Sequence, residues 1–245
     1  MVDGLKLLRD SSLGIDYIIN DNIKISHPTL GEICEFGESK YYSMAMSLCC
    51  NPSAYKVALH DMGIDWTTLS DFEFFIMMSQ NLTQDMTAPL LGDLDLSKLI
   101  LGRSNETDEI LLCAETDGVL SVMIDRALYM QTSSYIRKMH GFEYKAEKPA
   151  DEYTRKYLIE REKKRLKRRA KEPFESMLEP LVSSMVNQPG FKYDYSSVWD
   201  LSISAFNNSV VRTQKFLHYT QTMGGIYAGT ISMKDINKDD LNWMN

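Results

Sequence analysis

The residues best suited to metal or nucleophile chemistry are four histidines, His27, His60, His140 and His218, and four cysteines, Cys34, Cys49, Cys50 and Cys113. A protein zinc site needs several such side chains at recurring short spacings. None of these residues pairs with another at ligand spacing, and no H-E-x-x-H or calcium loop occurs. Asp93 and Asp95 in GDLDLSK are too few oxygens for calcium. Each histidine therefore reads as a hydrogen-bonded structural residue. Cys49 and Cys50 have no basic neighbour in sequence to hold a thiolate, so all four cysteines read as reduced, buried thiols. There is no G-x-S-x-G elbow and no glycine-rich phosphate loop. Gly224, Gly225 and Gly229 read as a helix stop, and Asp239-Asp240 as a helix cap. The expectation is a protein with no catalytic residue, no cofactor and no metal, although a site assembled from distant segments leaves no local trace.

One run is unusual. From Arg161 to Lys171, eight basic residues (Arg161, Lys163, Lys164, Arg165, Lys167, Arg168, Arg169 and Lys171) stand against one acidic residue, Glu162. Two readings stand open. The run is a solvated helix docked by a stripe of Leu158, Leu166, Ala170 and Phe174, or it is an electrostatic handle for an acidic partner, an RNA or the negative rest of this protein. No aromatic residue interrupts it, so stacking on single-stranded bases is not indicated. The whole chain carries −7 with a pI of about 5.2, which argues against nucleic-acid or membrane binding by the surface at large. No apolar run approaches the roughly 18 residues needed to span a bilayer. The N-terminus lacks the apolar core of a signal peptide. Without a secretory route, the triplets at Asn81, Asn105 and Asn207 carry no glycosylation meaning.

The elements that must position these residues are mostly helices. Hydrophobic residues at 44% and charged residues at 25% suffice for a real core. Residues 14–26 read as a hairpin turning at Asn20-Asp21-Asn22. Thr29…Glu32 and Ser70…Glu73 are capping boxes. The spacing of Tyr41, Met44, Ala45, Leu48 and Cys49 predicts a helix. Asn51-Pro52 opens another, with Tyr55, Ala58, Leu59 and Met62 as its apolar face and Gly63 as its stop. Phe72–Met78 is apolar all round and should be buried. Leu99–Leu101, Ile110–Cys113 and Val119–Val122 read as a β-meander, with a turn at Thr116-Asp117-Gly118, that could complete the hairpin's sheet. Asp125 caps a helix whose face is Leu128, Thr132, Tyr135, Ile136 and Met139, with Gly141 as the stop. Residues 143–152 read as a polar linker and 153–171 as the charged helix. Pro173 opens a helix with Phe174, Met177, Leu178, Leu181, Val182, Met185 and Val186 inward. A last helix, 196–223, carries a near-heptad seam of Trp199, Ile203, Phe206, Val210, Thr213, Leu217 and Thr220, stopped by Gly224-Gly225. Short capped pieces follow at Ser232 and Lys238. The fold class is mainly α with a small antiparallel β element (α+β). Its segments are 1–89 (hairpin plus helices), 90–124 (β-meander insert), 125–190 (helices, including the basic helix) and 191–245 (long helix and tail).

The blocks PTLGEICEFGESKYYSM, KVALHDMGIDWTTLSDFEFF, IRKMHGF, KEPFESMLEPLVSSM and GGIYAGTISMKDINKDDLNWM resemble proteins of the morphogenesis module of tailed phages of Gram-positive bacteria. The first block is similar to the start of tail assembly chaperones. The resemblance implies a protein of the host cytoplasm that binds tail components, the tape-measure and tail-tube proteins, and has no catalytic residues. A homo-oligomer is compatible with it. Such a chaperone needs adaptable apolar grooves, and the 15 methionines suit that, since thioethers adapt to irregular partners. The candidate groove residues are Tyr41, Met44, Phe74, Met77, Met78, Phe206 and Leu217; ordinary core is the plain alternative for each. Two other functions remain open: a structural neck or tail component of the virion, and a nucleic-acid or regulatory binder using the basic helix.

Overall fold

Local capping signals place most helix starts. The computed structural model describes residues 2–104, 108–116, 119–236 and 241–244. A first helix, α1 (Gly4–Leu13), leads into the hairpin β1 (Tyr17–Asn20) and β2 (Ile23–Ile25). There follow α2 (Leu30–Phe36), α3 (Glu38–Cys49), a 3-10 turn (Pro52–Tyr55), α4 (Lys56–Asp61), α5 (Asp71–Ser79) and α6 (Gln84–Leu91). The meander is β3 (Ile100–Arg103), β4 (Ile110–Thr116) and β5 (Val119–Ile124). Then come α7 (Arg126–His140), α8 (Glu152–Arg169), α9 (Leu178–Val186) and α10 (Ile203–Tyr227). The fold is thus α+β, mainly helical with two small antiparallel sheets.

Both expected capping boxes form: Thr29 with Glu32 opens α2, and Ser70 with Glu73 opens α5. Each cap satisfies backbone N–H groups that have no partner inside the helix. Asp125 caps α7, and Gly63 and Gly141 take positive φ where α4 and α7 end. α7 is the central post. Tyr129, Ser133, Ile136, Met139 and His140 are buried on it, and it packs against α3, α5, α10, β1 and β5. Tyr135 of α7 stacks on Tyr17 of β1 with ring centroids 3.9 Å apart. Arg137 donates to the Cys49 carbonyl (2.7 Å), closing the C-terminal end of α3. Beside this main core lies a smaller cluster of Cys50, Leu59, Trp66, Phe74 and Ile159. α5 separates the two, turning Phe72 and Phe75 to one and Phe74 to the other. That is why its sequence is apolar all round.

Several expectations are corrected. The meander does not extend the hairpin's sheet; β1-β2 and β3-β4-β5 are separate. The hairpin instead leans on helices, with Ser26 N–H bonded to Leu90 O of α6. The sequence patterns do not predict α1 or α6, and α6 carries Pro89 in its interior. On α4, Ala58 and Met62 are exposed, and it is Lys56 that is buried with Leu59. Pro173 does not open a helix: α9 starts at Leu178, and Phe174 and Met177 are exposed. Gly224-Gly225 lie inside α10, which runs to Tyr227. Trp199 sits on a 3-10 turn before it. Of the proposed seam, Ile203 and Phe206 enter the core, while Leu217 and Thr220 lie on exposed distal turns. Asn105, Asp117, Gly118, Lys238, Asp239 and Asp240 lie outside the described residues. Among the described residues no helix is long and apolar enough to cross a membrane.

Candidate functional site

α3 is apolar on two sides. Successive residues of a helix are about 100° apart around its axis, so the adjacent Tyr41 and Tyr42 face different surroundings. Tyr41, Met44, Ala45 and Leu48 turn into the core. Tyr42 and Met46 turn outward, beside Ser39 and Ser43. The segment 170–177, joining α8 to α9, passes over this outer face and brings Phe174 and Met177 with it. Between them is a cleft of about 1030 Å³, based on Tyr42, Met46, Tyr55 and Phe142. Met46 is 42%, Met177 58% and Phe174 63% exposed, high values for side chains of this size.

One carboxylate fixes the connecting segment. Glu38, in the first turn of α3, accepts from Ser176 Oγ (2.5 Å), Met177 N–H (2.8 Å) and Leu178 N–H (3.0 Å). A side chain from one helix thus caps the start of another, using the affinity of free N–H groups for an anion. Burial, with Glu38 nearby, pushes the Tyr42 phenol up to about 12, so it stays neutral and serves as an amphipathic surface. Arg169, Glu172 and Glu175 form a charged rim.

Residues 168–245 match the family described as the YomV second domain. This family is phage-associated, and the match covers roughly the last third of the chain. The YomV-like region begins in the last turn of α8 and includes the connecting segment, hence one wall of the cleft. No curated protein and no solved structure matches the chain.

The seven groove residues named from sequence do not come together. Tyr41, Met44, Phe74 and Phe206 are core residues, each 2% exposed or less, and present no surface. Met77 and Met78 are half-buried against the smaller cluster. Leu217 lies on an exposed distal turn of α10, next to exposed Phe216. Periodicity finds apolar faces but not which face remains bare. The missed residues Tyr42 and Met46 had a signal: a tyrosine pair and Met44-x-Met46 cannot fit one narrow stripe.

The eight basic residues divide. Arg161, Lys164, Arg165 and Arg168 occupy one face of α8 and line a second concavity of about 660 Å³. Lys163 faces α4 and pairs with Asp61 at 2.9 Å. Lys167, Arg169 and Lys171 are exposed. The expected docking stripe is corrected: Leu166, Ala170 and Phe174 are exposed, and Leu158 is half-buried. α8 is seated instead by Ile159, by buried Glu162 and by ion pairs such as Arg155 with Asp65. Two of the four histidines are buried in hydrogen bonds, His27 to Tyr135 (2.8 Å) and His140 to Tyr41 (2.7 Å); His60 and His218 are exposed. Burial pushes the Cys49 and Cys50 thiols up to about 12, far from thiolate at neutral pH. Among the described residues no three His, Cys, Asp or Glu side chains are grouped to hold a metal.

Proposed function

We propose that the protein works by binding, as a morphogenesis factor resembling tail assembly chaperones, and that it seats an apolar helix of a tail component in the cleft beside α3. The observation that carries this reading is the exposure of Met46, Phe174 and Met177 around one concavity whose far wall belongs to a phage-associated domain. An amphipathic helix laid into a groove buries its apolar face without needing a fixed sequence. Flexible thioethers let one groove accept many apolar helices, as a chaperone of a long, repetitive client requires. The client on this reading is the tape-measure protein, met in the host cytoplasm, with tail-tube subunits recruited later.

The test is co-expression with the tape-measure protein of the same phage, followed by affinity purification. A soluble complex is expected. Met46→Asp with Phe174→Ser should abolish it while leaving thermal stability close to wild type, because both side chains are exposed. A client that is equally soluble alone and never co-purifies refutes the reading. Stoichiometric retention in purified virions, seen by mass spectrometry, would instead identify a structural neck or tail component.

A further inference from the structure

α8 is a cationic element on an anionic body. Between 152 and 171, ten basic residues stand against three acidic ones, giving +7; with the whole chain at −7, the remainder carries −14. Four of the ten cations share one side of the helix. Arg161, Lys164, Arg165 and Arg168 follow the i, i+3, i+4, i+7 spacing of a single helical face. Across from them lies Lys56 of α4, itself buried.

The two carboxylates of this concavity hold the cations in place without matching their charge. Glu147 engages both Lys56 (2.6 Å) and Arg161 (3.0 Å). Glu162 holds Arg165 through Nε (3.1 Å) and Nη2 (2.7 Å). Arg168 has only a 3.7 Å contact with Glu172, and Lys164 has no ion-pair partner among the described residues. Five cations around two carboxylates leave an excess of +3 in one concavity.

We propose that this concavity is a phosphate-backbone site that takes about three successive phosphates of one strand of duplex nucleic acid, without reading bases. The charge fits: an excess of +3 offsets about three phosphates of one negative charge each. The lining chemistry selects among polyanions. Every lining side chain is charged, so a peptide would find no apolar anchor there. Exposed ion pairs alone contribute little to affinity, whereas a nucleic acid adds the release of its condensed counterions. No aromatic ring lines the concavity to stack a single-stranded base. The anionic remainder of the surface repels the polyanion and leaves α8 as its landing place.

The test is fluorescence anisotropy of the full chain with a labelled mixed-sequence duplex over a salt series. Log affinity should fall against log salt with a slope of about −3, near −0.9 per phosphate. Lys164→Gln with Arg168→Gln should weaken binding at least about tenfold at about 50 mM salt and bring the slope toward −1. Lys156→Gln with Lys167→Gln removes the same charge from exposed positions outside the concavity, and should change affinity less than about threefold. The site is overturned if the wild type shows no salt-sensitive binding, or if both variants weaken equally. It is also overturned if poly-glutamate of equal charge displaces the duplex as well as unlabelled duplex does, which would mark an acidic polypeptide as the partner.

Discussion

His140 offers the sharpest test of the core. Its Nδ1 lies 2.8 Å from the Ile136 carbonyl, which can only accept, so Nδ1 carries the proton. Its Nε2 then accepts from the Tyr41 hydroxyl at 2.7 Å. The ring is 7% exposed as a residue, and burial lowers its pKa from an ordinary 6.5 to about 4. The neutral form is the folded form. Stability from this group is therefore fully present above about pH 6.5 and is lost as pH falls toward about 4, where the loss levels off. The difference between those values corresponds to about 3 kcal/mol when complete. About 2 kcal/mol of that should be gone between about pH 7 and about pH 5. His27 is lowered by burial too and acts in the same direction, so the wild-type curve alone does not isolate His140. His140→Gln keeps an acceptor near Tyr41 and removes the titration. Urea unfolding of both proteins at about pH 7, 6 and 5 gives the difference directly, before most carboxylates protonate. The variant should be the less stable at pH 7 and should show the shallower decline, by about 2 kcal/mol at pH 5. Parallel curves, or a His140 ring resonance titrating near its ordinary value, would refute the reasoning.

Other perturbations follow from the same geometry. Glu38→Ala removes the anion that caps α9 across the cleft, and should destabilise the protein by about 1–2 kcal/mol in chemical unfolding. Met44→Ala should cost about 2–5 kcal/mol because Met44 is 2% exposed, whereas Met46→Ala, on the other face of α3, should change the midpoint little. Cys34 is exposed while Cys49, Cys50 and Cys113 are buried, so intact mass after brief maleimide treatment should show one adduct natively and four in denaturant. A methyl group on Gly225 would sit 2.5 Å from Ile231 Cδ1; Gly225→Ala should therefore detach the tail and speed proteolysis after α10, with the melting midpoint little changed.

The cleft was half legible in the sequence. The spacing of Tyr41, Met44, Ala45 and Leu48 predicts the helix that forms its base, and those residues are its inward side. For its other wall, the helical spacing of Phe174, Met177, Leu178, Leu181 and Val182 predicts a helix from Pro173 onward. That helix starts instead at Leu178, whose N–H donates to the Glu38 carboxylate, contributed by a residue 140 positions away. The basic run was visible at once, but its division into a lining face and a face toward α4 depends on where Asp61, Glu147 and Lys56 stand.

The sequence by itself determined the features that a few neighbouring residues can encode: two capping boxes, the hairpin turn, the glycine stops at Gly63 and Gly141, and an α+β class. Those signals work because a cap or turn satisfies backbone groups within about four residues, whatever surrounds it. Only the tertiary structure decided which side of α3 stays bare, that the two sheets stay apart, and that α8 is held by ion pairs more than by its leucines. Burial and charge pairing depend on segments far apart in the chain, and an apolar face looks the same in sequence whether something covers it or not.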